Sequence, residues 1–495
     1  MPLIRTWQLV AGSAAAGLAL SAAAVVTAGP WDSGQRKAER DRAASQGRTG
    51  GADHGEAPLP QAAPSAPAVL PGIGPALAAG PAPSGTPAAP PAPPAPSGDD
   101  PAALAEALRP LLADPALGSL HTAAVVDTAS GAVLYESGQG EAMTPASTTK
   151  IATAAAVLAA VGPEHRIATT VVAGPGAGQI VLVGGGDPSL TARKKAPAGS
   201  GGSLVALAAD TAQALKAANT TTVTLAYDDT LYSGPVVHPI GADNGNLAPV
   251  TSLTADEGRP DDSVSGPVAR TQNPSGDTAA AFAGLLRERG INVTGGPARG
   301  KAPAGAAPMA TTRSTPVGAL VERMLTNSDN DIAEALARQT ALASGQPASF
   351  EGAEKAIANK LAGLGLDLTG SRFADGSGLN RADKLSAAQL ARLLAKAADP
   401  AHPELRPVLS GLPVAGFSGT LRARNAGDSP AAGLVRAKTG TLTRVNALAG
   451  TAVSPSGRLL SFAFLASDTG NAQAAEKALD KLAAAVATTG PDTSA

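Results

Sequence analysis

Cysteine is absent from all 495 residues, and that absence removes disulfide bridges, thiolate nucleophiles and cysteine-ligated zinc together. Histidine is sparse: His54, His121, His165, His238 and His402 stand far apart. No two share the i, i+4 spacing that would set both imidazoles on one helical face toward a metal. Any hydrolase built on this chain must therefore manage without a histidine pair. Neither sign of charge dominates, with 38 Lys plus Arg against 40 Asp plus Glu, and aromatics make up only 2% of the residues. Without a basic field or basic patches interleaved with aromatics, nucleic acid is excluded as a partner.

At roughly 100–200 residues per domain the length allows two or more domains, but the first hundred residues lack a globular pattern. Arg5 precedes an apolar stretch from Leu9 to Ala28 that ends in the small residues Val26-Thr27-Ala28. Residues 1–29 thus read as a signal peptide, with an uncleaved membrane anchor as the competing reading, and either one exports the rest of the chain. Residues 30–98 are polar and charged, then dominated by Pro and Ala, as in Pro87 to Pro96. A segment of that composition cannot bury enough apolar surface to offset its ordering entropy, and it is expected to be a disordered, semi-extended tether.

Periodic pattern starts near Asp99. Asp100-Pro101 predicts a helix through Leu112, and Thr122–Asp127 and Ala132–Glu136 alternate around Ser130-Gly131 as a hairpin. A long helix is expected from Ser147 to Val161. Gln179–Val183 and Thr221–Tyr227 read as strands; Ser203–Ala218, Asp277–Arg289, Pro316–Leu325 and Asp331–Leu342 read as helices. Ala447–Val453 and Leu459–Ala466 form a second hairpin, followed by an amphipathic helix from Asn471 to Ala487. Hairpins at both ends with helices between them argue for an α+β fold, an antiparallel sheet covered by helices.

Three short motifs stand out. Pro145-Ala146-Ser147-Thr148-Thr149-Lys150 puts a serine at a helix start and a lysine three residues on, which share a helical face. The positive end of the helix favours negative charge developing near Ser147, although the same pattern suits a plain helix cap. Ser328-Asp329-Asn330 sits in a turn between two helices and could equally be a capping cluster. Lys438-Thr439-Gly440-Thr441 is the chain's one Lys-Thr-Gly, placed just before the C-terminal hairpin, where glycine lets another backbone approach closely. Each is weak alone. Their order, Ser-x-x-Lys, Ser-x-Asn, Lys-Thr-Gly, is the three-part signature of serine penicillin-binding proteins and class A β-lactamases.

From about Asp99 to Ala487 the chain resembles the low-molecular-mass D-alanyl-D-alanine carboxypeptidase/endopeptidases called class C penicillin-binding proteins. Beyond the three motifs, Leu182 to Leu190, Asp229 to Pro235 and Asp375 to Leu379, with Arg381 and Leu385-Ser386, look like that family's accessory segments. So does the long gap between Lys150 and Ser328, where family members carry inserted domains. The resemblance implies a β-lactamase/transpeptidase-like catalytic body made of residues 99–164 and 314–490, split by an inserted accessory region over 165–313. It implies catalysis by Ser147, Lys150, Ser328 and Asn330: an acyl-enzyme on Ser147, Lys150 as base kept neutral by Lys438, Ser328 as proton relay and Asn330 holding the substrate amide. Lys438, Thr439, Gly440 and Thr441 would form the substrate-binding strand, with the Thr439 and Thr441 hydroxyls beside Lys438 receiving the substrate's terminal carboxylate and the amides of Ser147 and Thr441 as oxyanion hole. The expected partners are peptidoglycan stem peptides, with β-lactams as inhibitors, and no cofactor or metal is required.

Arg422 and Arg424 could reinforce carboxylate binding but read rather as solvated surface charges, and Asp375 and Ser377 read as loop-shaping residues rather than catalytic ones. Three competing functions remain: a β-lactamase, for which no short loop with a deacylating glutamate is evident between Lys150 and Ser328; a noncatalytic wall-binding or β-lactam-sensing protein; and a Pro/Ala-rich structural surface protein. Deleting residues up to about Pro96 is expected to leave a soluble body that reacts with labelled penicillin at the full-length rate. A large rate loss with secondary structure retained would show that the tether does more than reach.

Overall fold

The computed structural model describes residues 100–138 and 140–489. The expected export segment and the Pro/Ala-rich tether lie outside the described residues. Asp100 opens the folded body: its carboxylate accepts the Ala102 amide and Pro101 takes the first helical position, starting α1 (Pro101–Leu112). β1 (Leu120–Asp127) and β2 (Val133–Ser137) form the first hairpin, with Asp127 Oδ1 accepting the Ala129 and Ser130 amides in the turn. Next comes α2 (Thr149–Val161), buried continuously from Thr149 to Leu158, as befits a helix surrounded by core.

The middle of the chain gives β3 (Ala168–Ala173), β4 (Gln179–Val183), α3 (Leu204–Ala217), β5 (Thr222–Asp228) and α4 (Pro274–Glu288), then short β6 (Asn292–Val293), β7 (Ala298–Arg299) and β8 (Pro308–Arg313). α5 (Val317–Asn327) and α6 (Asn330–Ala343) meet at a tight turn, followed by α7 (Phe350–Gly363), α8 (Ala387–Ala398) and the one-turn α9 (Arg406–Ser410). β9 (Val435–Leu442), β10 (Val445–Val453), β11 (Leu459–Ser467) and α10 (Ala472–Thr488) close the described chain.

Five strands in the order β2-β1-β11-β10-β9 make an antiparallel sheet. Its strands alternate between two cores, as the two-residue side-chain period requires. Ala123, Val125, Phe462 and Phe464 face α1 and α10, whereas Ala124, Val126, Ala463 and Leu465 face the layer of α2, α5, α6, α7 and α8. The expected helix-covered antiparallel sheet is therefore present, and helices cover both of its faces. A second sheet runs β6-β5-β4-β3-β8, with β7 also on β5. It is mixed, parallel at β4/β5 and antiparallel at β3/β4, and has its own core around Phe282, Leu204 and Leu207 from α3 and α4.

Boundaries differ where capping decides them. The helix expected from Asp277 starts at Pro274, because Asn273 accepts the Gly276 amide. The Lys-Thr-Gly segment, expected as the substrate-binding strand, lies in the edge strand β9, pairing Lys438 with Ala449 and Gly440 with Ala447.

Phe462 is fully buried and stacks on Phe464 with ring centroids 5.2 Å apart. Phe462→Ala is expected to cost about 3–5 kcal/mol, read as a lower urea midpoint at unchanged slope.

Candidate active site

Ser147 stands in a single 3-10 turn, Ala146–Thr148, immediately before α2. The Thr148 hydroxyl donates to the Pro145 carbonyl at 2.7 Å and closes that turn. Ala146 holds φ at 48°, a left-handed conformation that costs a non-glycine residue of order 1–3 kcal/mol. Two glycines make room for this backbone. A Cβ on Gly378 would lie 2.0 Å from the Ala146 carbonyl oxygen, and one on Gly440 would lie 2.8 Å from that of Pro145. The Asp-Gly-Ser-Gly loop and the Lys-Thr-Gly strand thus grip the peptide that carries Ser147 from two sides.

Lys150, one turn along, is fully buried. Its Nζ lies 3.2 Å from Ser147 Oγ and donates to Asn330 Oδ1 at 2.7 Å and to the Ser377 carbonyl at 2.6 Å. Burial pulls its pKa down to about 8, against the opposing pull of Asp375, Glu334, Asp329 and Asp383. The Ser-Asp-Asn turn divides its labour. Asp329 is the residue that caps, accepting the Ile332 amide at 3.0 Å, while Ser328 ends α5 in a left-handed conformation at φ 58°. Ser328 Oγ accepts from Lys438 Nζ at 2.9 Å, and Lys438 also donates to the Thr439 carbonyl at 2.7 Å. Lys438 is fully buried as well, and burial, then the charge of Lys150, holds it well below the usual lysine range. Burial is the larger cause for both lysines, and the charge of Lys150 adds to the depression of Lys438, whereas the expected influence of Lys438 is not among the leading causes for Lys150.

Above these groups lies a cleft of about 690 Å³ lined by Ser147, Asn327, Ser328, Asn330, Leu379 and Thr441. Lys150 and Lys438 form its buried underside. The Thr439 hydroxyl donates to Thr420 Oγ1 at 3.1 Å, and the Thr441 hydroxyl to Glu476 Oε1 at 3.2 Å. Of the sequence-predicted site residues, Ser147, Asn330 and Ser328 are hydrogen-bonded to Lys150 or Lys438, Thr441 lines the same cleft, Gly440 backs the peptide before Ser147, and the Thr439 side chain turns to Thr420 instead.

The opposite wall, Arg259, Ser265, Gly266, Pro267 and Arg270, comes from the segment between β5 and α4 and was not read from the sequence. Also missed were Glu334 and His238, which lie with Asp375 in a buried cluster behind Lys150. Asn330, Glu334 and Arg338 recur every four residues on α6, a polar stripe on a buried helix that could have been noticed. Asp375 does shape its loop, accepting the Ser377 and Gly378 amides at 3.1 and 2.6 Å. Arg424 is a correction. It makes a bidentate pair with Asp480, 2.7 Å at the closest, because α10 brings that carboxylate opposite; Arg422 is exposed as expected.

A helix-covered antiparallel sheet with a serine–lysine pair at the head of its central helix defines a serine peptidase of the β-lactamase/transpeptidase kind. The chain belongs to the D-Ala-D-Ala carboxypeptidase 3 (S13) family, whose model matches residues 104–266 and 260–486. It is 37% identical over 398 residues to Carboxypeptidase DacB of Mycolicibacterium smegmatis, covering 78% of this chain and 84% of the relative. The D-alanyl-D-alanine carboxypeptidase of an Actinomadura species is 30% identical over 446 residues, covering 72% of this chain and 79% of that one. The crystal structure of penicillin binding protein 4 from Haemophilus influenzae shares the fold, with a TM-score of 0.63 at 21% identity, over 77% of this chain and 97% of that one.

Gly378→Ala should displace the Ala146–Ser147 peptide and lower acylation by penicillin at least 100-fold, since misplacements near 1 Å cost about that much. Stopped-flow acylation together with far-UV circular dichroism checks it, and a fully active, folded variant would contradict the two-sided grip.

Proposed function

We propose that Ser147 is the acylated nucleophile of this D-Ala-D-Ala carboxypeptidase and that Lys150 is its base. The observation that carries the proposal is the 3.2 Å approach of Lys150 Nζ to Ser147 Oγ by an amine whose pKa has fallen to about 8. A neutral Lys150 accepts the serine proton as Oγ attacks the carbonyl carbon of the penultimate D-alanine of a stem peptide. The amides of Ser147 and Thr441 receive the oxyanion, each such donor lowering the barrier by about 3–4 kcal/mol. Collapse expels the terminal D-alanine amine, which takes through Ser328 the proton that Lys150 had accepted, and water then hydrolyses the ester with Lys150, neutral once more, as base. Asn330 holds the substrate amide.

Lys438 recognises the terminal carboxylate of the substrate. A buried lysine depressed by desolvation and by a second lysine gains a proton when an anion arrives beside it. The incoming carboxylate therefore charges Lys438 and leaves Lys150 neutral. β-Lactams, which also carry a carboxylate beside a reactive carbonyl, acylate the same serine and stall there.

We also propose that residues 165–313 are an accessory insert whose Arg259–Arg270 segment walls the cleft, and that the enzyme is exported to the cell envelope. The stem-peptide chemistry and the N-terminal apolar stretch support that location. Among the described residues no helix is long and apolar enough to cross a membrane.

Peptide mapping after penicillin treatment should find the adduct on Ser147, and Ser147→Ala should abolish labelling with the fold intact; an adduct on another serine overturns the assignment. Lys438→Ala should lower kcat/KM for a D-Ala-D-Ala acid by orders of magnitude, and Lys438→Arg should restore part of it. A D-alanyl amide, lacking the carboxylate, should lose less. Equal losses for acid and amide would remove Lys438 from carboxylate recognition.

A further inference from the structure

Behind Lys150 lies a buried polar cluster that the chemistry above does not use. His238 is 2% exposed and belongs to the segment between β5 and α4, far in sequence from every motif. Its Nδ1 accepts the Ile240 amide at 3.3 Å, so the ring proton sits on Nε2, which lies 2.8 Å from Asp375 Oδ2. The edge of the ring meets Phe350 with centroids 5.4 Å apart, and Glu334 Oε1 stands 4.0 Å from Nε2. Arg338 covers the Phe350 ring at 4.0 Å and pairs with Glu334 at 3.7 Å.

Asp375 passes this hold forward. One of its oxygens takes the amides of Ser377 and Gly378, at 3.1 and 2.6 Å, and the other takes the Asn380 amide at 2.7 Å. Glu334 Oε1 takes the Gly376 and Ser377 amides from the other side at 3.0 and 2.9 Å. Gripped in this way, the Ser377 carbonyl points at Lys150 Nζ, 2.6 Å away. Burial alone would raise the Asp375 pKa; the hydrogen bond from His238 leads the influences that overcome it and leave the pKa at about 2. Asp375 is therefore a carboxylate, the form that can accept all of these bonds.

We propose that His238 is a positioning residue for catalysis: by donating Nε2–H to Asp375 it fixes the loop whose Ser377 carbonyl aims the Lys150 amine at Ser147. The inference rests on Lys150 acting as the base. A neutral donor at this site serves as well as imidazole, whereas a donor that is too short, or absent, releases Asp375 and with it the Ser377 carbonyl. The defect appears in the chemical step, since His238 does not line the cleft.

The test is acylation of the full-length protein by a fluorescent penicillin, resolved into the dissociation constant of the encounter complex and the acylation rate constant. His238→Leu removes the donor. His238→Asn keeps an acceptor near the Nδ1 position without reaching Asp375, and His238→Gln reaches it with an amide N–H. The Leu and Asn variants should lose about 100-fold in the rate constant, with the dissociation constant within threefold of wild type, and Gln should return to within tenfold. Thermal midpoints are recorded alongside, so that if Leu does not fold, the contrast of Asn with Gln decides. A wild-type rate constant in folded Asn or Leu variants, a Gln variant no faster than Asn, or a loss confined to the dissociation constant overturns the proposal. Lys150→Ala, run in parallel, separates the two assignments: if it still acylates, the base assignment itself fails, whereas an inert Lys150→Ala beside an unaffected His238→Leu sinks His238 alone.

Discussion

Two lysines without solvent exposure share the floor of one cleft, and the cost of burying their charge organises their surroundings. An ammonium taken out of water must be paired, hydrogen-bonded or neutralised. Lys150 meets that demand with Asn330, the Ser377 carbonyl and Ser147, and Lys438 with Ser328 and the Thr439 carbonyl. The partners come from four places in the chain: Ser147 from the 3-10 turn before α2, Ser328 and Asn330 from the junction of α5 and α6, Ser377 from the Asp375 loop, and Thr439 from the edge strand β9. The sheet, the central helix and the loops therefore have to close correctly before either amine is satisfied.

Two of the strained backbone positions stand at this same site. Ala146, next to Ser147, and Ser328, whose own hydroxyl meets Lys438, both occupy left-handed conformations. Such conformations persist only where surrounding structure over-determines them. At Ala146 that structure is the pair of glycine contacts from Gly378 and Gly440. At Ser328 it is the capping of α6 by Asp329, which leaves its two neighbours free to point at the lysines. A motif that read equally well as a helix cap is thus both a cap and a site, with the roles assigned to different side chains.

The legible part of the sequence was local. Asp100-Pro101, Ser203 and Asn471 announce helix starts through their own capping, and the apolar run Leu459–Ala466 fits a strand buried between two cores on opposite faces of the sheet. The motif order told more than any single motif, because residues far apart in sequence had to serve one reaction. The hidden part depended on distant partners. β9 carries an inward lysine and a glycine, so its strand character comes from pairing with β10 rather than from its own pattern. His238 gains meaning from Asp375, and Arg424 from Asp480 on α10, and neither partner is close in sequence. α8 was a different kind of miss, since Ser386 and Gln389 form a capping box that is visible without the fold.

The pH dependence of the acylation rate constant, measured for wild-type protein with labelled penicillin, probes the buried base without perturbing the site. A base must be deprotonated to accept the serine proton, so the rate should rise about tenfold per pH unit below the Lys150 pKa and level off above it. The midpoint is expected near 8, removed with the activity in Lys150→Ala. A midpoint near 10.4, the ordinary lysine value, or a rate independent of pH between about 6 and about 9, would contradict a buried and neutralised Lys150 as the base.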